Sequence, residues 1–73
     1  MSVWMKPVFS SMISEVGYDT ETEELLVKFA KNGKTAAYKG APEGLAEELS
    51  HAPSVGSMFL SDVKPFYTDW RYV

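Results

Sequence analysis

His51 and Ser54 are the first residues whose types could do chemistry. A serine nucleophile needs a base, and that base needs a partner to orient it. His51 is the single histidine of the chain and stands three residues before Ser54, with Pro53 between them. A spacing that straddles a proline break does not bring the two side chains together. The pair therefore predicts a helix-end histidine beside a helix-capping serine, and no catalytic residue. Metal chemistry fares no better. There is no cysteine, no second histidine, and the acids are scattered or share the solvent face of a helix. No metal, cofactor or enzymatic activity is expected.

Binding chemistry has more to work with. The run Ser54-Val55-Gly56-Ser57 reads as a helix start, whose serine hydroxyls and free amides serve first as a cap and second as a cradle for a phosphate or carboxylate. The aromatics Trp4, Tyr18, Tyr38, Tyr67, Trp70 and Tyr72 can stack on nucleobases, with Lys34, Lys39, Lys64 and Arg71 supplying positive charge. In a chain of 73 residues most large aromatics are needed for the core, and those left outside favour a partner or a second copy. Trp4 and Phe9, in the apolar segment 1–10, are the expected partner-facing residues.

These residues must be positioned by a single domain, since 73 residues leave room for no more. The hydrophobic share of 45% and aromatic share of 14% are those of a folded protein. A net charge of −3 argues against a strongly electrostatic nucleic-acid binder, although it leaves room for a local basic patch. The start MSVWMKPVF lacks the long apolar core of a signal peptide, and no stretch is long enough to span a bilayer. A cytoplasmic protein without membrane attachment is expected.

Period-two patterning predicts strands over SMISEVGY, ELLVKFA and TAAYK. In the first, Gly17 is expected to form a bulge that reconciles Ile13 with Val16 and Tyr18. Asn32-Gly33 predicts a two-residue type I′ hairpin turn. Pro42 opens a first helix carrying Leu45, Leu49 and Ala52 on one face. Pro53 separates it from a second helix, capped by Ser54 and anchored through Val55, Phe59 and Val63 at four-residue steps. Residues 69–73 resume aromatic alternation as a last strand. The expected fold is α+β: a small antiparallel β-meander of about three strands, then two short helices and a C-terminal strand. Residues 1–10 form an N-terminal extension and 11–73 the domain.

The order of these landmarks resembles the KTSC domain, a small domain found at the carboxyl end of some lysyl-tRNA synthetases and as a standalone protein. Ser11, Ile13, Tyr18 and Asp19 match its opening pattern. Leu25, Val27, Phe29 and Gly33 match its second strand and turn, and Tyr38 and Pro42 its centre. Ala52, Ser54, Gly56 and Phe59 match its Ala-x-Ser-x-Gly-x-x-Phe stretch, with Val63, Lys64 and Tyr67 at its close. The resemblance covers residues 11 to 67. Two positions depart from the pattern. Ala36 replaces the first aromatic of a Tyr-x-Tyr pair, and Lys64 replaces an arginine, losing its flat, forked donor set.

By association with the synthetase, the resemblance implies RNA binding rather than a known activity. The expected function is a non-enzymatic binding module for RNA or a nucleotide-like phosphorylated ligand. Its expected ligand-binding residues are Lys34, Tyr38, Lys39, Ser54, Gly56, Ser57, Lys64 and Arg71. The alternative is a protein-interaction or self-assembling homo-oligomeric protein, of the kind phages and prophages encode, that binds no nucleic acid.

Overall fold

A computed structural model describes residues 2–73. Five strands, β1 (Val3–Pro7), β2 (Ile13–Asp19), β3 (Glu24–Phe29), β4 (Thr35–Lys39) and β5 (Trp70–Tyr72), form one antiparallel sheet in sequence order. Two short helices, α1 (Glu43–Ser50) and α2 (Val55–Met58), connect β4 to β5, and α2 runs on into a π-helical turn, Phe59–Val63. The architecture is α+β, with four strands rather than three before the helices. The additional strand lies in the segment expected as an extension. Pro7 is compatible with it because β1 is an edge strand: the amide of Val8 donates inward to Ser14 O at 3.1 Å, so the adjacent proline nitrogen faces the open edge. No helix among the described residues is long and apolar enough to cross a membrane.

Cross-strand register sorts the side chains between two faces. Val16, Val27, Ala36 and Tyr72 share one row, and Trp4, Tyr18, Leu25, Tyr38 and Trp70 the next. These rows face the helices. Ala46 and Leu49 from α1, Val55 from α2, and Phe59 and Val63 from the π turn close the core over them. In α1 the buried pair is Ala46 and Leu49, while Leu45 and Ala52 pack half-buried at its margin. The Val55–Phe59–Val63 stripe is buried as the four-residue steps require.

Two local expectations are corrected. The bulge lies between Ile13 and Glu15, so that Ile13, Val16 and Tyr18 are all buried, and Gly17 has another job. It sits opposite Met5 in register, where a Cβ would fall 2.0 Å from the Trp4 carbonyl oxygen. The β3–β4 hairpin is closed by four residues instead of two. Phe29 and Lys34 face one another, with Phe29 N donating to Lys34 O at 2.9 Å, and only Gly33 takes a positive φ, of 70°. Asn32 Oδ1 accepts from the Lys34 amide at 2.9 Å, which braces the loop without a left-handed asparagine. The β2–β3 turn is built alike: Asp19 Oδ1 accepts from the amides of Glu21 and Thr22, and Glu23 takes the left-handed position at φ 57°.

The opposite face carries no helix. Its central row runs Met5, Gly17, Leu26, Ala37 and Arg71. Arg71 reaches back from β5 to the buried carboxylate of Glu24, with Nη2 2.9 Å from Oε1. Lys28 and Glu15 make a looser pair at 3.5 Å on the same sheet.

Candidate functional site

The helix face is not fully covered at the β5 side. Between the π turn and the last two strands lies a cleft of about 290 Å³, walled by Phe29, Tyr38, Phe59, Tyr67, Trp70 and Tyr72, with Leu60 and Lys64 at its rim. Three pieces of sequence make this possible. Alternation in β5 puts Trp70 and Tyr72 on the helix face beside Tyr38. The π turn, closed by the Lys64 amide on Phe59 O at 3.0 Å, keeps Phe59 and Val63 inward and leaves Leu60 and Lys64 exposed. The turn after it carries Tyr67, whose amide donates to Val63 O at 2.9 Å.

The aromatic rings are fixed by one another. Tyr38 meets Phe59 edge to face at 5.7 Å and Trp70 at a 32° tilt, and Trp70 meets Tyr72 edge to face at 5.1 Å. Trp70 and Tyr72 nevertheless remain 45% and 50% exposed, so much of each ring is open to a ligand. Lys34 Nζ stands over the Tyr72 ring, 5.2 Å from its centroid.

Charge is segregated along the strands. The β2–β3 turn collects Asp19, Glu21, Glu23 and Glu24, whereas the β3–β4 turn, at the other end of the sheet, carries Lys31 and Lys34. No acidic residue lines the cleft or the cavity that adjoins it at Lys31. The ion pairs Lys28–Glu15 and Arg71–Glu24 leave Lys31, Lys34 and Lys64 out.

The hydroxyl of Tyr38 has its pKa pushed up to about 12, first by burial and then by neighbouring Tyr72. It therefore stays a protonated donor at the base of the cleft. Because an unfolded tyrosine titrates near 10, the folded state holds a proton that the unfolded state releases between about pH 10 and 12, so stability falls with rising pH in that window. Unfolding free energy is expected to be level up to about pH 9 and then to decline by roughly 2 kcal/mol on this account. Urea titrations across that range should show a smaller decline in Tyr38→Phe. Tyr18, whose hydroxyl donates to Ala41 O at 2.7 Å and whose pKa is also raised by burial and by Glu23, Glu43 and Asp19, supplies the remainder. An identical decline in both proteins would contradict the assignment.

The residues expected from sequence fall into three places. Tyr38 and Lys64 line the aromatic cleft and Lys34 stands over its Tyr72 ring, although Tyr38 is only 4% exposed and contributes a wall rather than a free stacking platform. Lys39 and Arg71 are on the other face of the sheet. Ser54, Gly56 and Ser57 line a neighbouring basin of about 320 Å³ with Phe9, Ser10 and Ser11. No cation lines that basin, and the Ser54 hydroxyl caps no amide; it donates to Ser57 Oγ at 2.9 Å. Of the expected partner-facing pair, Phe9 is fully exposed, while Trp4 is half-buried with its indole N–H on Glu43 Oε2 at 2.8 Å. His51 Nδ1 lies 2.9 Å from Glu47 O and 3.3 Å from Ser50 Oγ. No group of three or more metal-binding side chains occurs among the described residues.

Sequence reasoning missed Met12, Phe29, Phe59 and Leu60 as site residues; Phe29 and Phe59 were read as packing positions of a strand and a helix. It also named Trp70 and Tyr72 only among six stacking candidates. Strand parity held the missing signal: Tyr38, Trp70 and Tyr72 share one face, and Lys39 and Arg71 necessarily take the other.

Comparison with known proteins bears on the whole chain. No curated protein matches it. The crystal structure of the KTSC domain protein YPO2434 from Yersinia pestis superposes with a TM-score of 0.85 at 30% sequence identity, covering 99% of each chain. The family model of the KTSC domain matches residues 9–67, which takes in β2 through the π turn and Tyr67 of the cleft. With the sheet order, the helix pair and the sequence landmarks all in agreement, this chain belongs to the KTSC domain family.

Proposed function

We propose that the protein is a small non-enzymatic binding module whose aromatic cleft takes a nucleotide-like ligand, a base against Trp70 and Tyr72 and its phosphate on Lys64 or Lys34. One observation carries the reading. In a chain of net charge −3, an aromatic cleft is bordered by Lys64 and Lys34, neither of which is in an ion pair among the described residues, and is lined by no acid. Partly exposed rings offer stacking worth about 1–3 kcal/mol per base, and Tyr38 adds a hydroxyl donor. The overall acidity does not oppose this, because a short ligand meets only the local field. Screening acts over about 10 Å at 0.1 M salt, so the distant Asp19–Glu24 turn is largely masked.

Titration of tryptophan fluorescence with short single-stranded RNA at low salt tests it. Quenching is expected, with affinity falling as salt rises at a slope of about −0.7 per phosphate contacted. Trp70→Ala should weaken binding by roughly tenfold or more, and Lys64→Glu should weaken it and flatten the salt slope. Binding that is absent, insensitive to salt, or unchanged in Trp70→Ala would refute the proposal.

A further inference from the structure

The cleft does not end at Tyr72. Met12, Phe29 and Tyr72 also line a second cavity, of about 380 Å³, whose other walls are Ser11, Lys31 and Asn32. The two cavities thus lie side by side across a shared partition. Each is close to the lower end of the range in which small-molecule sites fall, about 300–1,000 Å³. Building on the nucleotide reading above, we infer that this double groove holds two consecutive nucleotides of a single strand, one base in each cavity.

The placement of the cations supports this over a mononucleotide. Lys64 lines the first cavity and Lys31 the second, while Lys34 lines neither and stands over the ring of the shared Tyr72, 5.2 Å from its centroid. Two consecutive nucleotides within a strand have one phosphodiester between their sugars and a phosphate on either side. A lysine at the dividing ring and one beyond it in each direction reproduces that order of charge. A single nucleotide would leave one apolar cavity and at least one of these lysines unused. A duplex would fit neither cavity, because its bases are already paired and stacked; bases enter such pockets only from single strands.

The second cavity also has polar equipment of its own. Asn32 spends its side-chain oxygen on the Lys34 amide at 2.9 Å, which leaves its NH₂ group as a donor for a base edge. Ser11 offers a hydroxyl on the opposite wall. Phe29 is held edge to face against Phe59 at 5.7 Å, so the partition is anchored to the core rather than being a mobile side chain.

Affinity as a function of length tests the inference. Oligouridylates of one to six nucleotides, phosphorylated at both ends so that a dinucleotide carries all three phosphates, are titrated in ribose and deoxyribose series at one low salt concentration. A rise of at least about tenfold from one nucleotide to two is expected, followed by less than threefold further gain out to six. That step in either sugar series supports two subsites, and its presence in one or both tells RNA from single-stranded DNA as the source of the ligand. Lys31→Glu should shrink the advantage of the dinucleotide over the mononucleotide to less than threefold. Mononucleotide binding with no gain at two, or an even rise to six without a break, overturns the two-base inference while the nucleotide reading stands. No binding at any length overturns both.

Discussion

Gly17→Ala is expected to destabilise the domain by about 3 kcal/mol, the upper end of what overpacking usually costs, and to loosen β1 from the sheet. The new methyl would lie 2.0 Å from the Trp4 carbonyl oxygen and 2.3 Å from Met5 Sδ. The thioether can swing away, but the carbonyl belongs to the β1 backbone paired with β2. Relief therefore requires the strands to separate, and with them goes the bond from Trp4 to Glu43 that ties β1 to α1. Thermal unfolding should show a midpoint lower by about 12–24 °C. Gly56→Ala is the control, since its methyl would meet Ser10 Oγ at an ordinary 3.5 Å and its backbone is helical. It should be neutral or slightly stabilising. A Gly17→Ala protein within 1 kcal/mol of wild type would show that β1 is not held in the described register.

The second large effect is expected at Arg71. Glu24 is 2% exposed, and among the described residues its Oε2 has no hydrogen-bond partner and the guanidinium on Oε1 is its only cation contact. Removing one partner of a buried pair strands the other charge, which typically costs 3–5 kcal/mol. The Arg71 side chain is itself 57% exposed, so water moderates the loss, and about 3 kcal/mol is expected for Arg71→Ala. Replacing both residues with leucine removes the stranded carboxylate and should recover most of that loss. Urea unfolding of Glu24→Leu, Arg71→Leu and the double variant closes the cycle. A cost below about 1 kcal/mol for Arg71→Ala would mean that the pair behaves as a surface ion pair. The same pair explains why β5, only three residues long, stays on the sheet: it is pinned from the open face as well as by the ladder to β4.

Much of the fold was legible from short-range patterns. Alternating Leu25, Val27 and Phe29 identified β3, and four-residue steps identified the helical stripe of Val55, Phe59 and Val63. The β1 strand was not legible, because in Val3–Pro7 the proline spoils a strand reading unless its nitrogen is known to face a free edge. The length of the β3–β4 loop was misread for a related reason. Asn32-Gly33 is compatible with a two-residue turn, and only the facing of Phe29 and Lys34 reveals four. A bulge at Gly17 would have separated Val16 from Tyr18, which already share a face; only an extra residue between Ile13 and Val16 brings all three together, and Ser14 supplies it.

The candidate site was less legible than the fold. Its walls come from five separated segments, around Met12, residues 29–32, Tyr38, residues 59–67 and residues 70–72, and no spacing within one segment announces the groove. Grouping Lys39 and Arg71 with Tyr38 followed proximity in sequence, where alternation along a strand separates neighbours to opposite faces. The Ser-x-Gly start at Ser54 drew attention as an anion cradle, yet it borders a basin without a cation.

Amide chemical-shift mapping of the ¹⁵N-labelled protein with a uridine dinucleotide tests the central claim most directly. Perturbations are expected at Met12, Phe29 to Lys34, Leu60 to Tyr67 and Trp70 to Tyr72, with the Asp19–Glu24 turn and α1 unmoved. Shifts centred on Lys39 and the open sheet face, on the Ser54–Ser57 basin, or nowhere at all would contradict it.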